Sequence, residues 1–115
     1  MSKLLFLEDI EALEQALATA GDKPLLIFKH SSTCPISARA HREIDKFLAS
    51  DAPEDTLVCA VVVQHARNVS DAVAAKTGVR HETPQVLLLR EGQCVWNTSH
   101  RSITLESLRE AIAKN

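Results

Sequence analysis

The chain alternates short apolar runs with longer stretches in which apolar residues recur every three or four positions. Leu4 to Leu7 is apolar and predicts a short first strand. Ile10, Leu13, Ala16 and Leu17 then follow at helical spacing with acids between them; Asp9 is placed as the N-cap and Gly21 as the stop. Pro24 to Phe28 is a continuous apolar run, which predicts a strand buried on both faces, and polar Lys29 to Thr33 reads as the loop after it. Helical spacing returns from Pro35 to Ala49, with Ile36, Ala40, Ile44, Phe47 and Leu48 on one side. A proline suits the first helical position, where no N–H is needed. Thr56 to Val63 is rich in β-branched residues and predicts a second buried strand. Val69 to Lys76 reads as a helix closed by Gly78, and Gln85 to Leu89 as a third long strand. Glu91-Gly92 makes a tight turn into Gln93 to Asn97, a hairpin signal. Thr104 caps a last helix with Leu105, Leu108, Ala111 and Ile112 inward.

The predicted order is β-α-β-α-β-α-β-β-α. Early alternation calls for parallel strands with crossover helices, and the late hairpin has to be antiparallel. This is an α/β chain with a thioredoxin-like fold, a central mixed sheet flanked by helices on both faces. The 115 residues suit one thioredoxin-like domain over 1–115. Hydrophobic residues at 45% and charged residues at 24% are ordinary for a globular protein. The apolar run from Leu57 to Val63 is far short of the roughly 20 residues a membrane helix needs. Glu8-Asp9 interrupts the N-terminal apolar stretch before a signal-peptide core forms, so the expected location is cytoplasmic, away from membranes. A net charge of -2 offers no basic footprint for nucleic acid. Three cysteines make no disulfide framework and leave reactive or buried thiols.

Cys34 carries the chemistry. It follows a buried strand and opens a helix, where unpaired N–H groups and the positive end of the helix dipole favour a thiolate over a thiol. The thiolate is the nucleophile of disulfide exchange. Three residues on, where a second thiol would complete Cys-x-x-Cys, stands Ser37. Serine cannot resolve a mixed disulfide, so a one-thiol mechanism follows. The Ser37 hydroxyl either donates to the thiolate or is an ordinary first-turn serine. Thr83-Pro84 lies directly before the third long strand. In thioredoxin folds a cis-proline there faces the catalytic cysteine; the sequence leaves the isomer open.

The segments Lys29-His30-Ser31-Ser32-Thr33-Cys34-Pro35-Ile36-Ser37 and His81-Glu82-Thr83-Pro84-Gln85 resemble the YtxJ family of the bacillithiol system, the monothiol bacilliredoxins, over almost the whole chain. The resemblance implies a thiol–disulfide oxidoreductase that removes bacillithiol from S-thiolated proteins. On that footing Cys34 is the attacking thiol and Pro84 the substrate-facing proline, flanked by Thr83 and Gln85. Thr33, Pro35, Ile36 and Ser37 form the thiolate's surroundings. A small thiol, bacillithiol by resemblance, serves as co-substrate, with no bound cofactor and no metal. A second small thiol or a reductase restores Cys34. Thioredoxins carry a buried aspartate in the strand before their motif; here that stretch reads Leu26-Ile27-Phe28.

Other residues take plainer expectations. Cys59 lies inside an apolar strand and Cys94 on the hairpin's second arm; both read as packing residues that neither pair nor resolve Cys34. Lys29 and His30 either hold the thiolate or bind an acidic thiol, or they are solvent-exposed at a strand end, the plainer expectation. His81 is expected to line the same groove as Pro84. No two of the five histidines have a zinc-ligand spacing such as His-x-x-x-His. Trp96 reads as a core or hairpin-face residue. Two other functions fit the pattern: an iron–sulfur carrier of the monothiol glutaredoxin type, against which Pro35 argues, and a non-catalytic thioredoxin-like adaptor.

Overall fold

The computed structural model describes residues 4–50 and 52–115. Five strands and four helices follow in the expected order: β1 (Leu4–Phe6), α1 (Ile10–Ala20), β2 (Leu25–His30), α2 (Pro35–Ser50), β3 (Leu57–Val62), α3 (Arg67–Thr77), β4 (Gln85–Arg90), β5 (Gln93–Ser99) and α4 (Leu105–Lys114). A 3₁₀ turn, His100–Ser102, joins β5 to α4 and has no counterpart in the sequence reading. The strands lie in the order β1-β3-β2-β4-β5. β3 runs parallel to β1 and β2, whereas β4 is antiparallel to β2 and to β5. This is the predicted mixed sheet of a thioredoxin fold.

Period-two alternation divides the sheet's side chains between two cores. Leu25, Ile27, Cys59, Val61, Leu87 and Leu89 pack under α1 and α3 with Leu13, Ala16, Val69 and Val73. Leu26, Phe28, Val58, Ala60, Val86 and Leu88 pack under α2 and α4 with Ala40, Ile44, Phe47 and Leu108. A register shift sets Trp96 opposite Leu88 and Cys94 opposite Leu89, leaving Val95 as the extra residue. That bulge turns Cys94 to the α1/α3 core and Trp96 to the α2/α4 core, although the two are separated by one residue.

The ends of the elements follow local chemistry. The Asp9 carboxylate accepts the Ala12 N–H at 2.7 Å, which caps α1. Thr104 and Ser107 form a reciprocal capping box on α4. Glu91 and Gly92 have φ of 52° and 78°, the mirror-image turn that suits a two-residue hairpin. Glu43 on α2 reaches across to α4: one carboxylate oxygen accepts the Leu105 N–H at 3.0 Å and the other pairs with Lys46 at 2.9 Å. An acid is favoured at a helix N-terminus. Both contacts hold the Glu43 carboxyl below its ordinary range, the backbone bond first.

One boundary departs from expectation in a way that matters. β2 extends through Lys29 and His30, because both continue the ladder to β3 and Lys29 also pairs with Gln85 of β4. Among the described residues, no helix is long and apolar enough to cross a membrane.

Leu87 is fully buried on the interior strand β4, so Leu87→Ala is expected to cost about 2–5 kcal/mol in urea unfolding. Exposed Val95→Ala should change stability by under about 0.5 kcal/mol. Glu43 sits lower in the fold than the 4.5 of a free glutamate, so its stabilisation is present above pH 4.5 and lost as pH falls through its folded value. Glu43→Gln should therefore lower the urea midpoint at neutral pH, with the gap to the parent narrowing as pH falls below 4.5.

Candidate active site

The carboxyl ends of the parallel strands β2 and β3 lie at one edge of the sheet, and the site is built there. Cys34 is the N-cap of α2: its carbonyl accepts the first helical bond, from Ala38 N–H at 3.0 Å. A side chain at that position meets the free N–H groups of the first turn, which favour negative charge. Cys34 is half-buried, whereas Thr33 and Pro35 are exposed.

The loop from Ser31 to Thr33 is held from two sides. Gln64, just past β3, accepts the Ser32 N–H at 3.1 Å and donates to the hydroxyls of Ser31 at 2.7 Å and Thr33 at 3.3 Å. From below, the buried Ser37 hydroxyl accepts the Ser31 N–H at 2.9 Å and lies 2.6 Å from His30 Nδ1. Ser37 is thus occupied with the loop backbone and His30, and among the described residues it makes no hydrogen bond to Cys34. Its role is to brace the loop that presents the cysteine. His30 is half-buried; its ring packs tilted against Phe28 and His41 at centroid distances of 5.2 and 5.1 Å. Burial pushes the His30 pKa down, and the neighbouring His41 adds to the effect.

A groove of about 550 Å³ opens beside the cysteine. Cys34 and Ile36 form one side, and Thr83 and Pro84 face them. The Thr83–Pro84 peptide bond is cis. The far wall is the segment Ser99 to Ser102, including the whole 3₁₀ turn. His100 takes a left-handed φ of 56° there and donates its N–H to the Pro84 carbonyl at 2.9 Å, which ties the wall to the proline. Its side chain lies 3.3 Å from Glu82.

Three expected site residues lie behind this groove instead of in its wall. Lys29 is fully buried, against the expectation of solvent exposure, because the ladder runs through it and turns its side chain inward on the α3 side. Its Nζ meets His81 Nδ1 at 3.2 Å. Gln85 is buried and donates to the Arg80 carbonyl at 2.9 Å, bracing the loop that carries Pro84. His81, expected in the groove, stands one layer back and contacts Thr83 Oγ1 at 3.0 Å through Nε2. Gln64 and the His100–Ser102 turn escaped the sequence reading. Gln64 carried a usable signal: a polar residue directly after a strand parallel to β2 emerges at the same edge as the cysteine loop.

The other two thiols are placed apart. Cys59 is fully buried and its pKa is pushed up to about 12 by desolvation. Cys94 is half-buried, and burial raises its pKa too. Cys59 on β3 and Cys94 on β5 are separated by β2 and β4. All three cysteines are free.

Over residues 6–108 the sequence matches the family described as monothiol bacilliredoxin BrxC. A solved structure described as a proposed oxidoreductase with a thioredoxin fold is 37% identical, with a TM-score of 0.83, covering 94% of this chain and 92% of that one. Thioredoxin of Malassezia sympodialis is 18% identical over 99% of this chain and 91% of that chain, with a TM-score of 0.79. Fasciola hepatica thioredoxin is 13% identical over 96% of this chain and 97% of that chain, with a TM-score of 0.77. The two thioredoxins share the fold; the family match adds the redox role and the single-thiol motif. With Cys34 on the groove and Ser37 where a second thiol would stand, the chain belongs to the monothiol bacilliredoxin BrxC family.

Proposed function

We propose that the protein is a one-cysteine thiol–disulfide oxidoreductase that removes a small thiol, bacillithiol by family, from S-thiolated proteins. The observation that carries this reading is the placement of Cys34. It alone of the three cysteines caps a helix and lines a groove, opposite Pro84, with no second thiol in the motif.

The chemistry follows from that placement. The Cys34 thiolate attacks the small-thiol sulfur of the mixed disulfide. A new S–S bond forms on Cys34, the old one breaks, and its electron pair leaves on the target protein's sulfur. A second small-thiol thiolate then attacks the adduct. It departs with the first as a small-molecule disulfide and returns Cys34 as thiolate, so one free small thiol is oxidised to the disulfide level for each protein thiol freed. A thiol reductase serves equally as the second nucleophile. The reaction calls for no bound cofactor. Cys59 and Cys94 stay out of it, since desolvation opposes their thiolates. Three unpaired thiols suit a reducing, cytoplasmic setting.

Incubation with a bacillithiolated protein should release its free thiol and leave the small thiol on Cys34, read as added mass on that peptide. Cys34→Ser is expected to abolish release, whereas Cys59→Ala and Cys94→Ala retain it. Undiminished activity in Cys34→Ser would sink the proposal.

A further inference from the structure

Lys29 is the only charged side chain without exposed surface among the described residues. A buried ammonium needs partners, because an unpaired one is heavily penalised. Its Nζ meets His81 Nδ1 at 3.2 Å. An ammonium only donates, so Nδ1 holds the accepting lone pair and the proton of the neutral ring sits on Nε2. The Ser70 hydroxyl, 3.1 Å from Nδ1, shares that lone pair. The Nε2–H then donates to Thr83 Oγ1 at 3.0 Å. Thr83 accepts there, so its own hydrogen is free to point elsewhere, and Thr83 lines the groove with Cys34.

We propose that Lys29, His81 and Thr83 form a one-way hydrogen-bond chain that presents the Thr83 hydroxyl to the groove as a donor to the thiolate leaving during exchange. The proposal rests on the exchange reaction above. In that step no proton has to move. The electron pair arrives on the departing sulfur, and the Thr83 O–H bonds to it, polarised from behind by the ammonium through the imidazole. Thr83 faces the reacting sulfurs; Lys29 and His81 are positioning residues that act through it.

The surrounding charges keep the chain in the required state. His81 is held neutral by burial and by the cations Lys29 and Arg67, against the pull of Asp71 and Glu82, so its pKa lies below the usual 6.5. Burial lowers the Lys29 pKa from 10.5, and Asp71 on α3 opposes that shift. The chain operates where the imidazole is neutral and the lysine is charged. It breaks on the acid side when Nδ1 gains a proton, and weakens on the alkaline side, below the ordinary lysine range, when the ammonium is lost.

The test is a double-mutant cycle on the single-turnover rate of de-thiolation at saturating S-thiolated protein. Thr83→Val should slow the rate about tenfold with KM within about twofold, as for loss of a bond to a charged group. Lys29→Met should slow it by a smaller factor, about threefold to fivefold, and Lys29→Met/Thr83→Val should match Thr83→Val alone, because Lys29 works only through Thr83. Across a pH series the alkaline decline that Lys29 adds to the wild-type profile should be missing in Lys29→Met. A wild-type rate in Thr83→Val overturns the chain, as does a double variant whose loss is the product of the single losses. Should Lys29→Met fail to fold, His81→Leu combined with Thr83→Val closes the same cycle. A wild-type protein inactive in exchange removes the reaction itself; an active one indifferent to Thr83→Val removes only the chain.

Discussion

The double pairing of β2 holds the site together. The strand bonds to β3 on one edge and β4 on the other along almost its whole length. Its carboxyl end is therefore fixed in position, and three parts of the site are registered to it. The cysteine loop leaves from His30. Gln64 leaves from the parallel neighbour β3 at the same edge. Gln85 begins the antiparallel neighbour β4, directly after Pro84, so the proline arrives opposite the loop. Because antiparallel and parallel partners meet on one strand, a cysteine and a proline 50 positions apart in sequence share a groove.

Alternation along that strand then sorts the chemistry onto two faces. Lys29 follows Ile27 onto the α3 side, where His81 receives it and Ser70 in turn bonds to His81. His30 follows Phe28 onto the α2 side, where Ser37 and His41 receive it. One polar residue thus supports each half of the groove from behind: His30 the cysteine loop, Lys29 the proline loop. Lys29 is fully buried and His30 half-buried, so contacts that are weak on the surface are stronger here. The buried aspartate of thioredoxins has no equivalent at Phe28. The charge beneath this sheet edge is instead a cation, one residue further along and on the opposite face.

The cysteines show how position outweighs residue type. Desolvation sets Cys59 and Cys94 against ionisation. Cys34 escapes the core because Pro35 starts α2 one residue later, leaving the thiol at the helix mouth. Ser37 is fully buried, a poor place for a resolving group, and its hydroxyl serves the loop backbone.

The sequence by itself determined the element order, the caps at Asp9 and Thr104, the hairpin turn at Glu91-Gly92, and the one-thiol motif at Cys34. Each depends on residues within about four positions of one another, where periodicity and turn chemistry act directly. Lys29 and His30 were misread as exposed because polarity alone argues for solvent, and only partners 7 to 52 positions away make burial tolerable. Gln64, the His100 turn and the inward direction of His81 likewise depend on which strand lies beside which. Tertiary structure decided those, because hydrogen-bond satisfaction of a buried polar group is settled by neighbours in space, which a local pattern does not encode.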